Sequence, residues 1–115
     1  MIVDKPWGRM VTYALNQPAS VRLVEIGGGK ETIPHYHRLR EELWVVLDPG
    51  IEVRIGNRIV TAEPGEEFIV AAEEPHCIIN KGPGTGRVME IAWGYTTEDD
   101  ILQVSDEAPD TDADW

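Results

Sequence analysis

Nowhere before Thr97 does this chain hold an apolar repeat of helical period longer than two turns. It holds short runs of alternating apolar and polar residues cut by Gly and Pro, and such runs build sheets. Residues 21–26, Val-Arg-Leu-Val-Glu-Ile, read as a half-buried strand that Gly27-Gly28-Gly29 ends. Three glycines in a row also suit a phosphate-cradling loop, but no helix pattern and no Lys-Ser/Thr follow them, so a turn is the better reading. Further strands are expected at 11–15, 33–37, 43–47, 52–55, 58–62, 67–70, 77–80 and 88–93, separated by Asp48-Pro49-Gly50, Gly56-Asn57, Pro64-Gly65 and the loop 82–86. About nine short strands with this punctuation predict an all-β barrel or sandwich. One helical turn is expected at 98–102, capped by Thr96 or Thr97.

All three histidines fall in two short stretches of the chain. His35 and His37 are two apart, and on a strand such residues share a face, so both rings aim at one point. Glu42 follows where the returning chain brings its carboxylate near them, and His76 stands immediately before the strand expected at 77–80. Three imidazoles and one carboxylate are a usual set for a catalytic divalent metal with open positions, so His35, His37, Glu42 and His76 are the candidate metal ligands. The plainer alternative is a pair of solvent-facing strand histidines beside an ordinary loop acid. Cys77 beside His76 is either a ligand or nucleophile or a small buried apolar residue; strand parity turns it away from His76 and favours burial.

More than the histidines is present. Gly29, His35, His37 and Glu42, then Pro75-His76 and Asn80, have the spacing of the two sequence motifs of the cupin superfamily, which the chain resembles. That resemblance implies a double-stranded β-helix, the jelly-roll barrel, as a single domain. Within the superfamily the chain looks like the type II mannose-6-phosphate isomerases, including the C-terminal isomerase domain of the bifunctional enzymes with a GDP-mannose pyrophosphorylase half. Lys5-Pro6-Trp7-Gly8 resembles that family's entry segment, and His37, Arg40, Glu42, Trp44 and Val46 fit its H-x-x-R-x-E-x-W-x-V core. Met89-Glu90-Ile91, Gly94 and Glu98-Asp99-Asp100-Ile101 resemble its closing segments. Departures lie close to the inferred site: His35 stands where the family commonly has Gln, Ala92 and Gln103 replace its Gln and Arg, and Ala71-Ala72-Glu73 replaces a Pro-Ala-Gly turn.

The resemblance implies a metal-dependent aldose–ketose isomerase of a phosphorylated hexose, with mannose 6-phosphate to fructose 6-phosphate favoured. One divalent ion is expected, Zn²⁺ or Mn²⁺ first, with Fe²⁺, Co²⁺ and Ni²⁺ as alternatives. Glu90 matches the family's acid on the last strand and is the candidate base, although its strand parity leaves an outward orientation open. Arg40 shares parity with Glu42 and Trp44 and is the candidate for binding phosphate or stabilising developing charge, against a simple ion pair with Glu41. Trp44 either stacks on a sugar or fills the core. Arg38, Lys30, Arg54 and Arg58 are weaker phosphate candidates. Two other functions stay open: a non-catalytic metal-binding module for a sugar or small ligand, and a metal-dependent oxygenase.

Charge narrows the partners. The formal net charge is −11, and from Glu98 onward there are eight acids and no Lys or Arg, leaving thirteen acids against ten bases in the body. With no basic stripe to neutralise phosphates, nucleic acid is not an expected partner. Residues 1–105 are assigned to the barrel and 106–115 to an acidic tail expected to be disordered. No apolar run is long enough to span a bilayer and the first residues lack a signal-peptide layout, so a cytoplasmic protein with no membrane partner is expected. The lone Cys77 agrees with a reducing compartment, and a homodimer is expected from the superfamily's habits.

Overall fold

The structure is a computed structural model that describes residues 1–94 and 96–104; the expected tail at 106–115 lies outside the described residues. These hold eleven strands and one 3₁₀ turn: β1 (Ile2–Lys5), β2 (Gly8–Val11), β3 (Ala19–Ile26), β4 (His35–Tyr36), β5 (Glu42–Val46), β6 (Ile51–Ile55), β7 (Arg58–Thr61), β8 (Glu67–Val70), β9 (His76–Asn80), β10 (Gly86–Trp93), η1 (Glu98–Asp100) and β11 (Leu102–Gln103). All pairings are antiparallel. One sheet runs β3-β10-β5-β8, the other β11-β4-β9-β6-β7, and β1-β2 stand apart as a hairpin. The two larger sheets share one core, and together they form a double-stranded β-helix, the jelly-roll barrel.

Sequence patterns map directly onto burial. In β8, Phe68 and Val70 are buried while Glu67 and Ile69 are exposed, the alternation of a strand with one wet face. In β9 all five residues are buried, because it lies between β4 and β6 inside the larger sheet. The core contains Trp44, Val46, Ile51, Val53, Ile55, Ile78 and Val88, drawn from both sheets. Gly56, at φ +59°, supplies the left-handed residue that the two-residue turn between β6 and β7 requires.

Three local expectations need correction. The strand placed at 11–15 lies at Gly8–Val11 instead, as the second arm of a hairpin with Lys5 opposite Gly8 and Pro6-Trp7 as its turn. Residues 33–37 keep ladder pairing only at His35–Tyr36, since His37 leaves the strand for the bend before β5. The β9 strand starts one residue earlier than expected, at His76, which pairs with His35. The expected helical turn is present over Glu98–Asp100 with Thr97 as its cap residue, though no Thr97 side-chain bond closes it. No helix among the described residues is long and apolar enough to cross a membrane.

Candidate metal centre

His35 and His76 face one another across the β4–β9 ladder, and His37 joins them from the following bend. All three are buried. Ring centroids lie 4.5 Å apart for His35–His76, 5.0 Å for His35–His37 and 5.1 Å for His37–His76. One donor nitrogen from each ring falls within 4.8 Å of the other two, so the three can hold a metal.

The backbone fixes which nitrogens these are. The Nδ1 of His35 faces the carbonyl of Ile33 at 2.7 Å, that of His37 the carbonyl of Asp100 at 2.7 Å, and that of His76 the carbonyl of Glu74 at 2.9 Å. A carbonyl only accepts, so each Nδ1 carries the proton and each Nε2 keeps its lone pair. Burial also pushes the His35 pKa down from 6.5 to about 4, and lowers those of His37 and His76, because the low-dielectric interior disfavours imidazolium. Neutral imidazoles with fixed tautomers fit a divalent metal.

Glu42, Trp44 and Val46 point inward from β5, in register with Ala92, Glu90 and Val88 on β10. Glu42 is buried beside the histidines, its Oε2 3.7 Å from Nε2 of His37. Both its oxygens accept hydrogen bonds, Oε2 from Nε of Arg40 at 2.9 Å and Oε1 from Nε1 of Trp44 at 3.1 Å. Arg40 is itself buried and reaches His37 as well, with Nη2 3.1 Å from Nε2. Its ion pair is therefore with Glu42 rather than Glu41. The other cationic candidates, Lys30, Arg38, Arg54 and Arg58, are exposed.

The register of β10 settles the parity of Glu90. Val88, two residues earlier, belongs to the core, and Glu90 is 3% exposed beside Trp44, whose ring lies 5.3 Å from that of His76. Trp44 is fully buried and serves as wall and hydrogen-bond donor at once. Cys77 is buried, and burial raises its thiol pKa.

Asp100 is the residue whose role the sequence reading missed. Its carboxylate accepts the backbone N–H of Arg38 and of Leu39, each at 2.9 Å, while its carbonyl holds His37. The 3₁₀ turn thereby clamps the bend carrying His37. Glu98-Asp99-Asp100-Ile101 stands out as a segment of the sequence, yet the contact spans some sixty residues of chain and no local pattern announces it.

The profile of the family described as "Mannose-6-phosphate isomerase C-terminal" matches residues 1–106. The curated mannose-1-phosphate guanylyltransferase 2 of Escherichia coli O157:H7 is 24% identical over 102 residues, a match that covers 88% of this chain and 21% of that protein. The chain thus spans about a fifth of that relative's length. A candidate sugar phosphate isomerase from Acidithiobacillus ferrooxidans superposes with TM-score 0.60 at 26% identity, over 67% of this chain and 51% of that one. A sugar phosphate isomerase of the cupin superfamily from Silicibacter pomeroyi gives TM-score 0.61 at 19% identity, over 70% and 53%, a likeness of fold.

Proposed function

This chain belongs to the mannose-6-phosphate isomerase C-terminal family, and from that premise we propose that it is a metal-dependent sugar-phosphate isomerase interconverting mannose 6-phosphate and fructose 6-phosphate. The observation that carries the reading is the inward, buried Glu90 carboxylate in the same barrel interior as the three-histidine cluster.

The reaction moves a proton between C2 and C1 of the open-chain sugar and needs a base near carbon and positive charge near oxygen. Glu90 takes the proton from C2 of the aldose and returns it to C1, while the hydroxyl proton passes between the two oxygens. A low-dielectric wall of Val88, Trp44 and Ala92 beside Glu90 keeps bulk water from that exchange. His35, His37 and His76, with Glu42 adjoining, would hold a divalent ion, Zn²⁺ or Mn²⁺ by preference, which would supply Lewis-acid polarisation. Arg40, anchored through Nε on Glu42, offers its guanidinium to the charge that develops on substrate oxygens.

A second reading, a metal-binding module that recognises a sugar without turning it over, draws on Gln103. It lies opposite His35 in the β11–β4 pairing, where the resembling family has Arg. Either way the partner is a small sugar phosphate, and we propose self-association through β3, a terminal strand of its sheet with Val21 and Leu23 exposed. The test is conversion of mannose 6-phosphate by metal-stripped protein reloaded with Zn²⁺, Mn²⁺, Co²⁺ or Fe²⁺. Turnover that requires metal is the expected result. Stoichiometric metal with no turnover in any form overturns the isomerase and leaves the binding module.

A further inference from the structure

We propose that Arg40 is a built-in occupant of the metal centre, a guanidinium that sits on the lone pair of His37 and is expelled from it when a divalent metal binds. The proposal rests on the three histidines being metal ligands and does not depend on the isomerase reaction.

The tautomer of His37 leaves no other assignment. Its Nδ1 donates to the Asp100 carbonyl at 2.7 Å, so Nε2 holds one in-plane lone pair. Nη2 of Arg40 lies 3.1 Å from that nitrogen, and since a guanidinium has only donors, it donates to it. A metal shared with His35 and His76 needs the same lone pair. One lone pair cannot serve both, so metal and Arg40 exclude each other at His37.

The surroundings make the exchange feasible. Nε of Arg40 remains anchored to Oε2 of Glu42 at 2.9 Å, so the guanidinium can swing off His37 without losing its counter-charge. Its Nη1 is buried with no hydrogen-bond partner among the described residues, so the present pose leaves one donor unsatisfied, a costly state for a buried charged group. Displaced from His37, Arg40 turns both terminal nitrogens toward whatever anionic oxygen enters the barrel. Metal first and anion second is then the order of binding, with Arg40 as the link between them.

The obvious rival makes Arg40 a support that orients Glu42 and His37 for the metal. The two differ in sign. Removing a supporting partner weakens metal affinity by about 10–100-fold, whereas removing an occupant, together with its positive charge, strengthens it.

Zn²⁺ affinity is to be measured by chelator competition for the wild-type chain, Arg40→Gln and Arg40→Lys at one pH, with circular dichroism to establish folding. Arg40→Gln is expected to bind Zn²⁺ at least about tenfold more tightly than wild type, since a positive charge a few ångströms from the ion is removed. Arg40→Lys, which keeps the charge without the planar fork, falls between. In the wild-type chain the guanidinium NMR signal of Arg40 should shift and saturate at one equivalent of Zn²⁺. Equal or weaker binding by a folded Arg40→Gln overturns the proposal. Should that variant not fold, a wild-type Arg40 signal unmoved by one bound equivalent overturns it instead. If no form binds Zn²⁺, the exchange falls together with the histidine centre. Tighter binding in Arg40→Gln, with no turnover by wild type in any metal form, sustains the exchange while the isomerase falls.

Discussion

Strand β9 begins at His76 and ends at Asn80, both 1–2% exposed, and its two ends handle buried polarity in opposite ways. At the Asn80 end every side-chain group is spent on backbone. Nδ2 donates to the carbonyls of Ile26 and Gly84, both at 2.8 Å, and Oδ1 accepts from the Gly82 N–H at 2.9 Å. Packing there is tight enough that a Cβ on Gly86 would come within 2.5 Å of Ile51 and 3.0 Å of Asn80. At the His76 end the backbone takes Nδ1 of each histidine, and the opposite edges of three rings converge on one another. Polar groups that exhaust one another make a clasp. Polar groups that are anchored on one side and gathered on the other make a site.

The contrast is tested most severely by Glu90, which belongs to the histidine end. Glu90→Gln preserves shape and removes the base, so isomerisation is expected to drop by about 10²–10⁴-fold, with a thermal midpoint no lower than wild type. Loss of fold in step with loss of turnover would return Glu90 to the structural side. Next in size is the clasp itself. Asn80→Ala strands three backbone groups and is expected to cost about 3 kcal/mol in urea denaturation. His76→Gln, which removes the Nδ1 bond to the Glu74 carbonyl, should cost about 1 kcal/mol while abolishing stoichiometric metal binding. Equal costs for the two substitutions would erase the distinction between the ends.

How much of this was legible in the sequence follows the range of each interaction. Alternation and Gly/Pro turns gave the all-β class and most strand positions, since a strand's facing is decided within a few residues. Alternation also pairs His35 with His37, although His37 lies just past the end of β4, while Glu42 is picked out by its spacing from them rather than by strand facing. The inward facing of Glu90 was not, because Met89 to Ala92 is apolar or small around it and only the register with β5 distinguishes the faces. The first hairpin is not legible, because Pro6-Trp7 is not a standard two-residue hairpin turn and Val11 to Leu15, where a strand is expected, has the stronger apolar signal. The occupancy of Arg40 required coordinates, since it depends on a tautomer set from Asp100, far along the chain.

Asp100 sharpens the comparison on a smaller scale, because it applies clasp chemistry to the bend that carries a site residue. Asp100→Asn leaves one acceptor oxygen where two N–H groups now bind, while the carbonyl that fixes His37 stays in place. Stability should fall by about 2 kcal/mol. Zn²⁺ affinity should fall as well, because the bend holding His37 is less restrained. A stability loss with unchanged affinity would confine Asp100 to the clasp side.

The smallest effect separates the two ends by proton uptake, since Asn80 has no proton to exchange and the histidines do. In the metal-free protein His35 titrates at about 4 when folded and near 6.5 when unfolded, its burial disfavouring the cation. Between those values the unfolded chain holds a proton that the folded chain lacks, so unfolding free energy rises with pH through this window and declines as pH falls from 6.5 toward 4. His35 contributes no more than about 1.4 kcal/mol per pH unit to that slope. His35→Gln should flatten the urea-derived slope by up to that amount, whereas Asn80→Ala should lower stability equally at every pH in the window. The parallel offset in one variant and the altered slope in the other follow from a clasp that shares no protons and a site kept neutral by burial. If both variants gave parallel offsets, His35 would be titrating alike in folded and unfolded chains, and the neutral imidazole at the histidine end would have to be ascribed to something other than its buried position.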